Sequence, residues 1–170
     1  MSRMVENVLF LARADNPQYV TTAADFPVRD ELQRVAEYFE GIADDAGIAI
    51  RVVASGQLHA DVELFRRAVS NLLANALRYT PRGKTVSITA NGAPDGVTVT
   101  VANPGVPIPP EHLTRLFDRF YRVDESRSNS AGSTGLGLAI VRTIMELHGG
   151  SASVESDAET TQFHLHFPPR

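Results

Sequence analysis

The sequence predicts an α+β fold, a two-layer sandwich whose mixed, mostly antiparallel sheet is covered on one face by helices. Two patterns and their order carry this. Apolar residues recur at three-and-four spacing in Leu32, Val35, Ala36, Phe39, Ile42 and Ala43, and again in Phe65, Ala68, Val69, Leu72, Leu73, Ala76 and Leu77. They alternate instead in Val86/Ile88, Val97/Val99/Val101 and Phe163/Leu165/Phe167. Helices followed by hairpin-like strand pairs, without one helix per strand, point to α+β rather than a parallel α/β sheet.

Taken in order, Met1 to Ala14 puts Met1, Met4, Val8 and Leu11 on one narrow seam, with Val5 and Ala12 beside it. Such a stripe suits a helix bundle or coiled coil. Asp15-Asn16-Pro17 stops it. A second helix is expected from about Pro27 to Ala46, with Gly47 as its stop, and a strand from Ile48 to Val53 that Gly56 punctuates. The third helix starts at Asp61, a capping side chain, and runs to Tyr79 ahead of Pro81. The turn-rich run Asn91 to Gly96 joins the next two strands into a hairpin. A short helix over Glu111 to Phe117, a glycine-led helix over Leu138 to His148 ended by Gly149-Gly150, and strands at Ser151 to Glu155 and Phe163 to Phe167 complete the chain.

Composition narrows the class. The 170 residues suit one compact domain with a short appendage. Sixteen basic against 20 acidic residues leave a net charge of −4, which is the wrong footprint for a dedicated nucleic-acid binder. There is no cysteine, so disulfides, thiolate metal sites and cysteine nucleophiles are excluded. No apolar run is long enough to cross a bilayer, and the N-terminus lacks a secretion-signal layout, so a soluble chain in a reducing compartment is expected, with no membrane insertion of its own.

Four stretches carry candidate chemistry. Asn71, Asn75 and Arg78 share one helical strip beside the apolar stripe. Mid-helix asparagine is a poor helix former, so two at this spacing ask for a reason, although a solvated polar face would also produce them. Asn103-Pro104-Gly105 leaves a strand through a rigid exit that could hold a side-chain amide, both donor and acceptor, toward a purine edge; a plain proline-rich loop reads the same way. Gly132 to Ile140, with Ser133, Thr134, Gly135, Leu136, Gly137 and Leu138, is a glycine-rich turn into a helix start, where backbone N–H groups attract anions. No Gly-Lys-Ser/Thr follows it, so it is not a P-loop. Between them, Arg119, Arg122 and Arg127 lie close to Phe117, Phe120 and Tyr121, a composition suited to a lid over phosphates or to an ordinary surface loop.

Each signal alone is weak; their order and spacing are specific. Together with Phe117-Asp118-Arg119-Phe120-Tyr121-Arg122 and His148-Gly149-Gly150, they resemble the N, G1, F and G2 boxes of the catalytic ATP-binding domain of bacterial two-component sensor histidine kinases, which has the GHKL or Bergerat fold. The likeness spans about Phe26 to Pro168, and the wording around Asn103 and Arg119 is most similar to the heavy-metal sensor kinases. It implies a catalytic domain over 16–170 with a lid at about 118–134, and residues 1–15 as the end of the preceding dimerisation and phosphoacceptor domain. It further implies that Asn75 holds Mg²⁺ against ATP, with Asn71 and Arg78 on the phosphate tail. Tyr79, Ile108, Phe120 and Tyr121 would border the nucleoside, with Asn103 and Gly105 at the adenine. Arg122 would reach the phosphates as the second catalytic residue beside Asn75, and Ser133 to Leu138 would wrap them. Implied partners are the acceptor domain and a response-regulator receiver domain, with the catalytic part cytoplasmic and its parent protein anchored in the inner membrane.

Three positions depart from the family pattern: Asn103 stands for the usual aspartate, Pro107 for a second glycine and Ser133 for the first glycine of the last box. Related ATPases place a water-activating glutamate where Asn71 stands; an amide cannot be a general base, so transfer to an acceptor is favoured over hydrolysis. A hydrolysing ATPase and a nucleotide-binding regulator without phosphotransfer remain the alternatives. None of His59, His112, His148, His164 and His166 has the family's acceptor context. His164 and His166 share one outward strand face, where they could pair on a metal or simply be exposed.

Overall fold

The alternating strands pair as their patterns require. In the computed structural model, which describes residues 3–121 and 136–169, a five-stranded sheet has the order β2-β4-β5-β7-β6. Its members are β2 (Ala49–Ala54), β4 (Thr85–Ala93), β5 (Gly96–Pro104), β6 (Ser151–Ser156) and β7 (Thr160–Phe167). β2 runs parallel to β4 and every other pair is antiparallel. The expected mixed sheet with helices on one face is what forms. Val86, Ile88, Val99, Val101, Phe163, Leu165 and Phe167 point to the helical side and are buried.

Opposite them lies α4 (Val62–Tyr79), with Phe65, Ala68, Val69, Leu72, Leu73 and Ala76 excluded from solvent. α6 (Gly137–Leu147) packs alongside through Ile140, Val141, Ile144 and Met145, and α2 (Val28–Tyr38) through Leu32 and Val35. Arg66 Nε donates to Glu31 Oε2 at 2.6 Å and Nη2 to Oε1 at 3.2 Å, a two-point bond joining α2 to α4. That bond holds the Glu31 carboxyl below its ordinary range.

The hairpin is tighter than its sequence suggests: Ala93 pairs with Gly96, so only Pro94-Asp95 turn the chain. Gly96 sits at φ +125°, and a Cβ there would stand 2.0 Å from the Phe167 carbonyl oxygen. No larger residue fits.

Several expectations are corrected. The helix expected over 27–46 is two helices, α2 and α3 (Glu40–Ala46), broken at Phe39. Phe39 has ψ near 0° (φ −92°, ψ 1°), and the break lets both Phe39 and Ala43 enter the core. Gly47 does stop α3, in the left-handed conformation. A separate two-stranded ribbon, β1 (Ala23–Pro27) with β3 (Gln57–Asp61), was not expected from sequence. Its alanines, aspartates and proline have low strand propensity, and burial of Phe26, Leu58 and Ala60 holds it. The helix expected over Glu111 to Phe117 is only α5 (Pro110–Leu113), followed by turns. Finally, α1 (Arg3–Ala14) forms where expected; of its seam Leu11 is buried with Asn7 and Phe10, whereas Met4 and Val8 are exposed together with Val5 and Leu9. Arg67 explains the turn of this helix: its guanidinium lies 4.4 Å over the Phe10 ring and donates to Asn7 Oδ1 at 3.2 Å.

Leu72→Ala is expected to cost about 2–5 kcal/mol, read in urea as a lower midpoint at unchanged slope. Because the folded Glu31 carboxyl titrates below its unfolded counterpart, its bond adds stability above about pH 4.3 that is lost as pH falls through the folded value. Glu31→Gln should therefore flatten the acid limb of a stability–pH curve and leave a smaller difference from pH 4 down to pH 2 than at pH 7.

Candidate functional site

With its apolar stripe committed to the sheet, α4 carries its polar strip along one border. Asn71, Asn75 and Arg78 are each half-buried there. Asn71 Nδ2 donates to the Gly137 carbonyl at 3.1 Å, which brings the strip against the first residue of α6. Among the described residues Asn75 and Arg78 make no hydrogen bond or ion pair, so both heads are available to a ligand. Leu136, ahead of α6, supplies no capping side chain, and its own side chain is buried in the core. Among the described residues no side chain caps the leading N–H groups of α6, and such groups carry the partial positive charge that favours an anion. Gly137 has open space where a Cβ would stand. Leu138 packs partly against the core, so it and Leu136 could meet a phosphate only through backbone.

Asn103 lies on the inner face of β5 beyond Val99 and Val101, 5% exposed. Its Nδ2 donates to the Pro104 carbonyl at 3.1 Å, which fixes the amide and leaves Oδ1 as the free acceptor. Gly105 follows at φ +154°, where a Cβ would come within 3.0 Å of the Tyr79 carbonyl. The loop thus passes close against the end of α4, next to half-exposed Tyr79. Ile108 N donates to Ser156 Oγ at 2.8 Å, and Ser156 Oγ meets Thr161 Oγ1 at 2.9 Å, so the loop is also tied to β6 and β7.

Arg119 is not free for phosphates: its Nη2 bonds both Asp15 carboxylate oxygens at 3.0 and 3.2 Å. Tyr121 gives its hydroxyl to a hydrogen bond with His112 and its ring face to Arg115, 4.6 Å away. Phe120 is exposed and adopts φ +67°, rare for a side chain of this size. Arg122, Arg127, Ser133, Thr134 and Gly135 lie outside the described residues.

One structural residue escaped the sequence reading. Asp61 Oδ1 accepts from Leu64 N as the expected cap, but Asp61 N donates to His148 Nε2 at 3.0 Å. His148 Nδ1 meets the Ile144 carbonyl at 2.7 Å, so the ring is neutral with its proton on Nδ1. It locks the end of α6 to the start of α4; its place directly before Gly149-Gly150, at a helix end, was the available signal. A cavity of about 620 Å³ lined by His59, His148, Pro94 and Phe167 opens at this end of the domain and contains none of the candidate residues.

These elements place free polar groups, a helix start and a buried amide along α4 and its two neighbours, the start of α6 and the end of β5. Residues 60–170 match the family described as histidine kinase-, DNA gyrase B-, and HSP90-like ATPase. The chain belongs to that family, and its domain is the ATP-binding catalytic domain of the sensor histidine kinases. Sensor histidine kinase CusS of Escherichia coli strain K12 is 47% identical over 169 residues, which cover 99% of this chain and 35% of that protein. Sensor protein IrlS of Burkholderia pseudomallei is also 47% identical over 169 residues, covering 99% and 36%. The structure of full-length ShkA in complex with AMPPNP superposes with a TM-score of 0.84 at 26% identity, covering 98% of this chain and 36% of that one. The chain spans about a third of the length of the curated relatives it matches.

His148→Phe removes the acceptor of the partly buried Asp61 N–H and is expected to cost about 0.5–1.5 kcal/mol in urea unfolding.

Proposed function

We propose that this chain binds ATP with Mg²⁺ along the border of α4 and transfers the γ-phosphoryl group to a histidine on a separate dimerisation domain, within a membrane-anchored sensor kinase of the heavy-metal type. The observation that carries the reading is the Asn71–Gly137 bond, which holds a strip of unspent polar groups beside an uncapped helix start. Asn103 Oδ1 accepts the adenine amino hydrogens, Arg78 and the α6 N–H groups hold the phosphates, and Tyr79 with Ile108 borders the nucleoside. Asn75 fits a hard cation, since its side-chain oxygen is unengaged among the described residues. Bound Mg²⁺ supplies charge neutralisation at the phosphates.

Phosphoryl transfer asks mainly for positioning and charge stabilisation, and these residues provide both. None of the strip's groups can take a proton from water, so Asn71 supports transfer rather than hydrolysis. Arg122 and Ser133 to Gly135 complete the phosphate seat in this reading. Residues 1–15 form the end of the dimerisation helix, a response-regulator receiver domain takes the phosphoryl group onward, and the catalytic part works in the cytoplasm.

Calorimetric titration with Mg·ATP should show binding for the wild type and its loss for Asn75→Ala; no heat from the wild type overturns the reading. Radiolabelled ATP should label an added acceptor domain but not the chain alone, and label on the isolated chain contradicts transfer to a separate domain. Asn103→Asp exchanges a neutral acceptor for a charged one and should tighten ATP binding by about tenfold, because charge-assisted hydrogen bonds are roughly twice as strong.

A further inference from the structure

The site above uses only the helical side of the sheet. On the opposite face, β7 presents His164 and His166 two residues apart, so both rings stand on the same side of the strand. Each ring is held by a threonine directly across on β5. His164 Nδ1 meets Thr100 Oγ1 at 2.8 Å, and His166 Nδ1 meets Thr98 Oγ1 at 3.0 Å. Each ring therefore turns its Nε2 outward. His164 Nε2 faces Glu155 Oε2 of β6 at 3.1 Å, and His166 Nε2 has no partner among the described residues. Glu155 is largely exposed, so its carboxylate can move with a ligand.

We propose that His164 and His166 chelate a divalent transition-metal ion of the imidazole-preferring kind (Cu²⁺, Ni²⁺ or Zn²⁺) on the outer face of the sheet, with Glu155 as its acidic neighbour. Two nitrogens from a rigid strand are what such ions select over oxygen-rich surfaces. Histidine ligands characteristically bond through one nitrogen and donate from the other to a fixed acceptor, the arrangement Thr98 and Thr100 provide. Loading moves the His164 proton from Nε2 to Nδ1, Thr100 turns from donor to acceptor, and the Glu155 carboxylate is released to accept from the ion's bound water; no proton leaves the protein. Among the described residues no cluster of three or more histidine, aspartate or glutamate side chains is set to hold a metal, so the ion keeps water in its other positions.

The test uses the untagged full chain without nucleotide, so its outcome is independent of the ATP-binding reading. Calorimetric titration with CuCl₂, NiCl₂ and ZnCl₂ should show one saturable site for at least Cu²⁺, and electron paramagnetic resonance of the Cu²⁺ complex should show two imidazole nitrogens. His164→Gln or His166→Gln should weaken binding by about a hundredfold, and Thr98→Val or Thr100→Val by about tenfold. Circular dichroism checks that each variant is folded. Unchanged affinity in the doubly substituted protein, binding lost instead on His59→Gln, or no saturable site in the wild type overturns the proposal.

Discussion

The rotation of α4 about its own axis is the constraint on which the rest of the molecule depends. Six of its apolar residues are sealed against the sheet, and each residue turns the helix by about 100°. A slip of one position would carry Asn71, Asn75 and Arg78 away from α6 and expose leucines in their place. The hydrophobic core therefore orients the polar strip, and the strip needs no network of its own to stand in position. The Asn71–Gly137 bond, with the His148 link at the opposite end of the two helices, fixes α6 against the result.

Division of labour follows from that geometry. The residues that would hold a nucleotide come from a helix, a strand end and a helix start, regular elements more rigid than loops, which is where precise sites are best built. The loop at 105–108 is an irregular part of this border, and it is stapled to β6 and β7 through Ser156 and crowded against Tyr79 at Gly105. Nothing in the strip is acidic. An all-amide and arginine wall suits a polyanion and a cation together while giving water no base.

Much of this was legible in the chain because the signals were periodic. The stripe of α4, the glycine turn and glycine stop that bracket α6, the alternation in β4, β5 and β7, and the capping role of Asp61 all follow from spacing and residue chemistry. What was illegible depended on partners far away in sequence. In α1 the burial of Phe10 and Asn7 beside Leu11 could not be read from spacing, because it depends on Arg67, 60 residues on, which reaches over Phe10 and bonds Asn7. The β1–β3 ribbon is made of poor strand formers that only pairing and Phe26 hold in place. The break at Phe39 has only Gly41, two residues on, to announce it, and an isolated glycine is tolerated in many helices. In the site, the asparagines and Asn103 could be singled out by their oddity in helix and loop, whereas the Gly137 carbonyl and the turning of Arg119 toward Asp15 are tertiary facts.

β7 is last in the chain yet interior in the sheet, bonded to β5 on one side and β6 on the other. Until residues 160–167 are seated, β6 lacks its strand partner, one edge of β5 is bare, and Phe65 lacks its neighbour Phe167. Losing residues 160–167 would therefore open the middle of the sheet instead of trimming its border, leaving two bare, aggregation-prone strand edges where one continuous ladder stood.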